Sequence, residues 1–316
     1  MRFFYLCSIA FAFVLTSCTS NSAHRAYHAR DYATKPDSAR IIAELLVKDL
    51  APITSIRQFE ALADSLPTTE LFSLSVLDAH IKQLLPSLST SAQDSLYAAY
   101  LPRFFRVVNS HNDSLHSYFA PQIDSMDSPN PQPDRIKFID FFDYFGMGLY
   151  SSEGIYYLDV SPYHFKRLFD ATSSDCIRAI TAMREKELLE GFSEDAGLVI
   201  PFDSVYNRAR TWESIRQTCN TGPLSELALD SYAIYITTLL VGMDNTPVFS
   251  QQIFSEDVRQ LYQGIAASSD STQTSTLIRQ FYGIVEANGF RETDAVSAWI
   301  QEHDISFLRG VDPSTH

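Results

Sequence analysis

From Asp37 onward, apolar residues return every three or four positions, and each run closes at a proline, a glycine or a Ser/Thr/Asp cluster. That spacing is the period of a helix with one buried face. Ile41, Ile42, Leu45, Leu46 and Leu50 form the first stripe, with Asp37 or Ser38 placed to cap it. Ile56, Phe59 and Leu62 form a second, stopped at Pro67, and Leu74, Leu77, Ile81 and Leu84 a third, stopped at Pro86. A fourth starts near Ser91 and meets Pro102, whose ring breaks or kinks a helix because it lacks an N–H and clashes with the preceding turn. The pattern resumes through Phe104, Val107 and Val108 towards Phe119. Later helical patterns cover 173–190, 203–219, 223–241, 255–267, 271–288 and 293–309. Helical period is lost at 146–160, which leaves room for one small β-hairpin. The chain reads as all-α, a multi-helix bundle or helical array of ten to twelve helices.

The best internal boundary is Ser128-Pro-Asn-Pro-Gln-Pro-Asp134, with three prolines in seven residues. It divides an N-terminal helical subdomain, 37–127, from a C-terminal one, 134–310. Leu224 to Leu240 is apolar nearly all round and reads as the central helix of the second half. Asp230 within it needs an arginine or hydrogen bonds to be tolerated. Phe-Ser-Glu-Asp occurs at 192–195 and again at 254–257, and both copies read as serine caps before helices. Ser161-Pro162 reads as a further cap with proline in the first turn.

The N-terminus has one cation, Arg2, followed by an apolar run from Phe3 to Leu15. The run is too short for an ordinary spanning helix and suits the apolar region of a signal peptide, 1–17. It ends in Leu15-Thr16-Ser17-Cys18, which resembles the lipobox of bacterial lipoproteins: an apolar residue, two small residues, then the acylated cysteine. The resemblance covers residues 1–18 alone. It implies cleavage before Cys18, acyl chains on Cys18 and a lipidated tether over 18–36. It also implies a place in the cell envelope, in the outer membrane with the domain facing the periplasm, since no Asp follows Cys18. Two or three acyl chains on one residue anchor durably, at about 0.8 kcal/mol per buried CH₂. Cleavage removes Cys7 and leaves Cys176 and Cys219, which either pair in an oxidising compartment or stay as two buried thiols.

Lys plus Arg is 24 against Asp plus Glu 38, a formal charge of −14. That balance argues against nucleic acid as a partner. Four cysteines are too few for a disulfide scaffold or a zinc array. No H-E-x-x-H, G-x-S-x-G, S-x-x-K, P-loop, C-x-x-C or G-x-G-x-x-G is present, so no cofactor or metal is expected.

Three sets of residues bear on function. Residues 138–169 hold eleven Phe or Tyr, with acids and a histidine among them. Phe141, Phe142, Tyr144, Tyr156, Tyr157, Asp159 and His164 are the candidate ligand-binding residues, because aromatic faces stack on apolar ligand faces and carboxylates hold polar edges. The competing reading is an aromatic core with acids at its rim. Glu187, Glu190 and Asp195 are the candidate pair-forming carboxylates for glycoside chemistry, and the competing reading is a solvated acidic face. His111, Asp113 and His116 have the types of a metal cluster but not the angular spacing on a helix, and read instead as a polar break with two surface histidines. Asp-Ser occurs nine times, which fits helix capping and also resembles a bacterial O-glycosylation acceptor at seven of the nine. Together these give a non-enzymatic, lipid-anchored envelope protein that binds a glycan, peptide or protein partner. The alternative is a polysaccharide hydrolase or lyase on a helical barrel.

Overall fold

The computed structural model describes residues 36–120, 123, 126, 133–152, 154–169 and 172–303. The expected signal peptide, Cys18 and residues 18–35 of the tether lie outside the described residues, as does the end of the last expected helix. Among the described residues the fold is mostly α, with twelve α-helices and four small antiparallel two-stranded sheets. No described helix is long and apolar enough to cross a membrane.

The N-terminal half starts with α1 (Pro36–Lys48), α2 (Ile56–Ser65) and α3 (Phe72–Leu84). Ser55 begins α2, its Oγ accepting from the Gln58 N–H at 3.3 Å. A 3₁₀ turn at Leu85–Ser87 carries Pro86 and leads to α4 (Thr90–Tyr118), capped by Ser89. α4 passes through Pro102 without ending, so the expected break is absent. α5 (Pro133–Tyr144) runs into a hairpin, β1 (Met147–Ser152) and β2 (Ile155–Val160), paired in register from Met147↔Val160 to Ser152↔Ile155. Asn112 of α4 fixes this hairpin by imitating a strand: its amide donates to Leu158 O at 2.8 Å and accepts from Leu158 N at 2.7 Å. Ser161 does not cap a helix. Its Oγ donates to Asp143 at 2.6 Å, and α6 (His164–Leu168) starts three residues later.

The C-terminal half holds α7 (Asp175–Glu190), α8 (Phe202–Thr218), α9 (Ser225–Val241), α10 (Glu256–Ala267), α11 (Gln273–Ala287) and α12 (Asp294–His303). α9 is the centre, with every residue from Ser231 to Leu240 buried, while Asp230 is only half-buried. α8 packs along it. Cys176 in the first turn of α7 is bonded to Cys219 at the end of α8, with Cα atoms 5.2 Å apart. Glu213 of α8, also buried, holds the start of α11: its carboxylate accepts from the N–H groups of Gln273 and Thr274 and from the Thr274 hydroxyl, at 2.6–2.9 Å.

Three hairpins that helical patterning did not reveal lie between these helices. They are β3–β4 (Ser193–Glu194, Gly197–Leu198), β5–β6 (Gly242–Met243, Thr246–Pro247) and β7–β8 (Phe249–Ser250, Ile253–Phe254). The two Phe-Ser-Glu-Asp copies therefore part company: Ser255 does precede α10, but 192–195 forms β3 and its turn. Gly242 must be glycine at the end of α9, because its φ is +84° and a Cβ would meet Thr246 O at 2.4 Å.

One continuous apolar core runs through both halves. α5 and β1–β2 pack on α1 and α4, so the segment placed with the C-terminal subdomain by the proline boundary sits on the N-terminal helices.

Candidate functional site

The aromatic segment is mainly core. Phe138, Phe141, Phe142 and Phe145 are fully buried and meet edge to face, with centroids 5.1–5.4 Å apart along the series. Phe141 and Phe142 touch no solvent, so they form no ligand wall. α5 turns them inward because its 3.6-residue period places them with Phe138 and Phe145 on the face against the core. Tyr156 is half-buried against that core. Tyr144 and Tyr157 are each 39% exposed. Tyr157 stacks on its cross-strand neighbour Tyr150, rings 5.9 Å apart at 27°. Asp159 is half-buried, accepts from Val160 N at 2.6 Å, and has its pKa raised by burial, with Arg184 acting the other way.

His164 is buried in a network that reaches back to α3. Tyr100 Oη donates to Asp78 Oδ1 at 2.6 Å and lies 2.9 Å from His164 Nε2. Phe104 stacks on the imidazole at 5.0 Å. Gly146 faces the other side of the ring, where a Cβ would come within 2.3 Å of Nδ1. Burial pushes Asp78 up to about 7 and, with Arg167 and Lys82 nearby, holds His164 down at about 3. The two stand 4.0 Å apart, yet near pH 5 both are neutral and form no ion pair. The histidine thus sits buried inside the fold.

The candidate carboxylates are occupied. Glu187 Oε1 accepts from Trp212 Nε1 at 2.5 Å and from the Tyr235 hydroxyl at 2.7 Å, while Arg184 holds Oε2 at 3.3 Å. Glu190 is held by the buried Arg208 at 3.0 Å. Asp195 is at the tip of the β3–β4 turn with φ +48°. The first two are structural ties between α7, α8 and α9. His111 is buried rather than at the surface, bonded through Nδ1 to Val107 O at 2.9 Å, and His116 bonds Tyr156 O at 3.0 Å. Among the described residues, no three His, Cys, Asp or Glu side chains converge as a metal site would need.

A concavity lies elsewhere, among the unexpected hairpins. It is an open groove of about 830 Å³. It is lined by the segment from Leu198 to Phe202, by Thr246, Pro247 and Ser250, and by Ile253 to Asp257. Val199 and Ile253 are half-exposed on its rim, and Glu256 and Asp257 are its charged lining residues. The hairpin tips interlock: Asn245 N donates to Ala196 O at 3.0 Å, and Leu198 N donates to Thr246 Oγ1 at 2.9 Å. The extended apolar runs Leu198-Val-Ile-Pro-Phe202 and Pro247-Val-Phe249, each just after a helix stop, were the sequence signal for it.

Compared with family models, with curated proteins and with solved structures, the chain finds no match in any of the three.

Proposed function

We propose that the protein is a lipid-anchored cell-envelope protein that binds a partner without transforming it, in the groove between its hairpins. The ligand is an extended peptide segment carrying branched apolar side chains and a cation. The groove carries this reading: it is concave, mainly apolar and lined by two acids, Glu256 and Asp257. An acidic groove on a chain of formal charge −14 favours a basic segment. The Leu15–Cys18 tetrapeptide and the Cys176–Cys219 disulfide support an exported, anchored chain. The hydrolase reading has less support, since Glu187 and Glu190 are bound up in ties between helices.

Selection of a displayed library of random ten-residue peptides on the detergent-solubilised full chain tests the groove. The expected peptides combine Val, Ile or Leu with Lys or Arg, and bind at least tenfold more weakly to Val199→Arg and Ile253→Arg. Peptides that bind these variants as well as the native chain overturn the placement.

A further inference from the structure

The first described helix turns part of its apolar stripe to the core, through Ile42 and Leu46, and part outward. α1 buries Ala39 and Ala43 and presents Ile41 and Leu45, which are 57% and 62% exposed. These two belong to the stripe that helical period assigned to the core. α5 packs beside α1 and leaves Ile136 and Ile139 exposed one turn apart, with Tyr144 exposed at its C-terminal end. The two helices are in direct contact, and Tyr144 lies within electrostatic reach of Arg40 and Glu44 of α1. Among the described residues, five of the twelve exposed large hydrophobic side chains thus fall on two neighbouring helices, too many for scattered singles.

We infer that the α1–α5 face rests on the lipid bilayer, with Ile41, Leu45, Ile136, Ile139 and Tyr144 at the headgroup boundary. This rests on the anchored reading proposed above. Residues 19–35 separate Cys18 from α1, and seventeen residues span at most about 60 Å whatever their conformation. An acyl group on Cys18 therefore keeps α1 nearest to the bilayer in chain order. Charge agrees with this occupant. α1 and α5 carry four basic and five acidic residues, a net −1, in a chain of −14. Two nearly neutral helices are repelled by anionic headgroups far less than the average surface of so acidic a chain. A helix lying in the interface shows apolar residues on one face with charged residues beside them, and tyrosine favours that depth.

The test uses the full acylated chain in phosphatidylethanolamine–phosphatidylglycerol vesicles. Leu45→Cys carries an environment-sensitive fluorophore, Ile136→Cys is the second labelled site, and Ile253→Cys, equally exposed, is the control. The native Cys176 and Cys219 are bonded to each other and do not take the label. Nitroxide lipids labelled near the headgroup are expected to quench positions 45 and 136 at least threefold more than position 253. Equal quenching on a chain that floats with the vesicles overturns this face and leaves the anchor standing. A chain that does not float and whose mass shows no acyl group overturns the anchor and this inference with it. Disulfide-linked dimers through unlabelled Leu45→Cys assign the face to a second copy instead, and also overturn it.

Discussion

Replacing Asp78 by Asn should make stability depend on pH in a way that isolates one buried carboxyl. In the folded chain Asp78 is pushed up to about 7 by burial, against an ordinary value of 3.8. The contribution of such a group is fully present below its unfolded pKa and is lost as pH rises through its folded one. Three units correspond to about 4 kcal/mol by pH 8. Its side chain is 19% exposed, so solvent screening trims this figure only modestly. Asparagine keeps an acceptor for Tyr100 and cannot ionise. The variant should therefore match or fall slightly below the native chain at pH 4, and exceed it by several kcal/mol at pH 8.

His164 makes the experiment sharper. It is held down at about 3, against 6.5 unfolded, so its contribution is present above pH 6.5 and is lost as pH falls towards 3. Between pH 4 and 6.5 the two groups change stability by about 1.4 kcal/mol per pH unit each, in opposite directions, and nearly cancel. Asp78→Asn removes one side of that balance. Urea unfolding followed by circular dichroism at pH 4, 5, 6, 7 and 8 gives the difference directly, because all other groups are shared. A stability difference that stays level across this range refutes the burial of Asp78 as the source of its shift.

Two further outcomes follow from the C-terminal half. Replacing both Cys176 and Cys219 by alanine opens a loop of sequence separation 43, and should cost about 4 kcal/mol in the chain-entropy account, read as a lower Tm by calorimetry with the fold retained. The β7–β8 turn holds Gln251 and Gln252 at φ +50° and +65°, so Gln251→Asn with Gln252→Gly should stabilise by about 1–2 kcal/mol, read from the urea midpoint.

How far the sequence revealed this structure depended on what each element leaves in the chain. Helices α7 to α11 match their expected spans to within about two residues, because a 3.6-residue period and serine or glycine stops are local signals. The three hairpins escaped because two-residue strands are too short to show alternation, and two of them turn at Asp195-Ala196 and Gln251-Gln252 rather than Asn-Gly, while the Asp244-Asn245 turn of the third reads as a turn without revealing its strands. Period shows that a helix has an apolar stripe but not which stripe finds the core. Ile41 and Leu45 face out because the close contact beneath α1 is filled by Ala39 and Ala43. Phe141 and Phe142 went the other way, as aromatic residues usually do when a core is available. Glu187 and Glu190 were visible as acids, but their partners Trp212, Tyr235 and Arg208 lie 18 to 48 residues away and share no local pattern with them. The groove was least legible, since its walls come from segments near 200, 247 and 254 that meet only through tertiary packing.

The buried polar ties explain why such a groove can keep its shape. Its walls are short hairpins, and isolated two-stranded ribbons are barely stable in water. Here each ribbon leaves or enters a helix that is fixed elsewhere. α7 is bonded to α8 through Cys176–Cys219, and Glu187 joins it to Trp212 of α8 and Tyr235 of α9. Glu213 ties α8 to the start of α11. Tyr262 of α10 donates its hydroxyl to Leu239 O of α9. The helices that launch β3–β4 and β5–β6, and the one that receives β7–β8, therefore belong to one braced unit. Bracing of this kind lowers the ordering entropy that a partner must otherwise overcome, so a short peptide gains more affinity from the same apolar contact. Glu187 and Glu190, which looked catalytic in sequence, are thus among the ties that hold the scaffold around the groove.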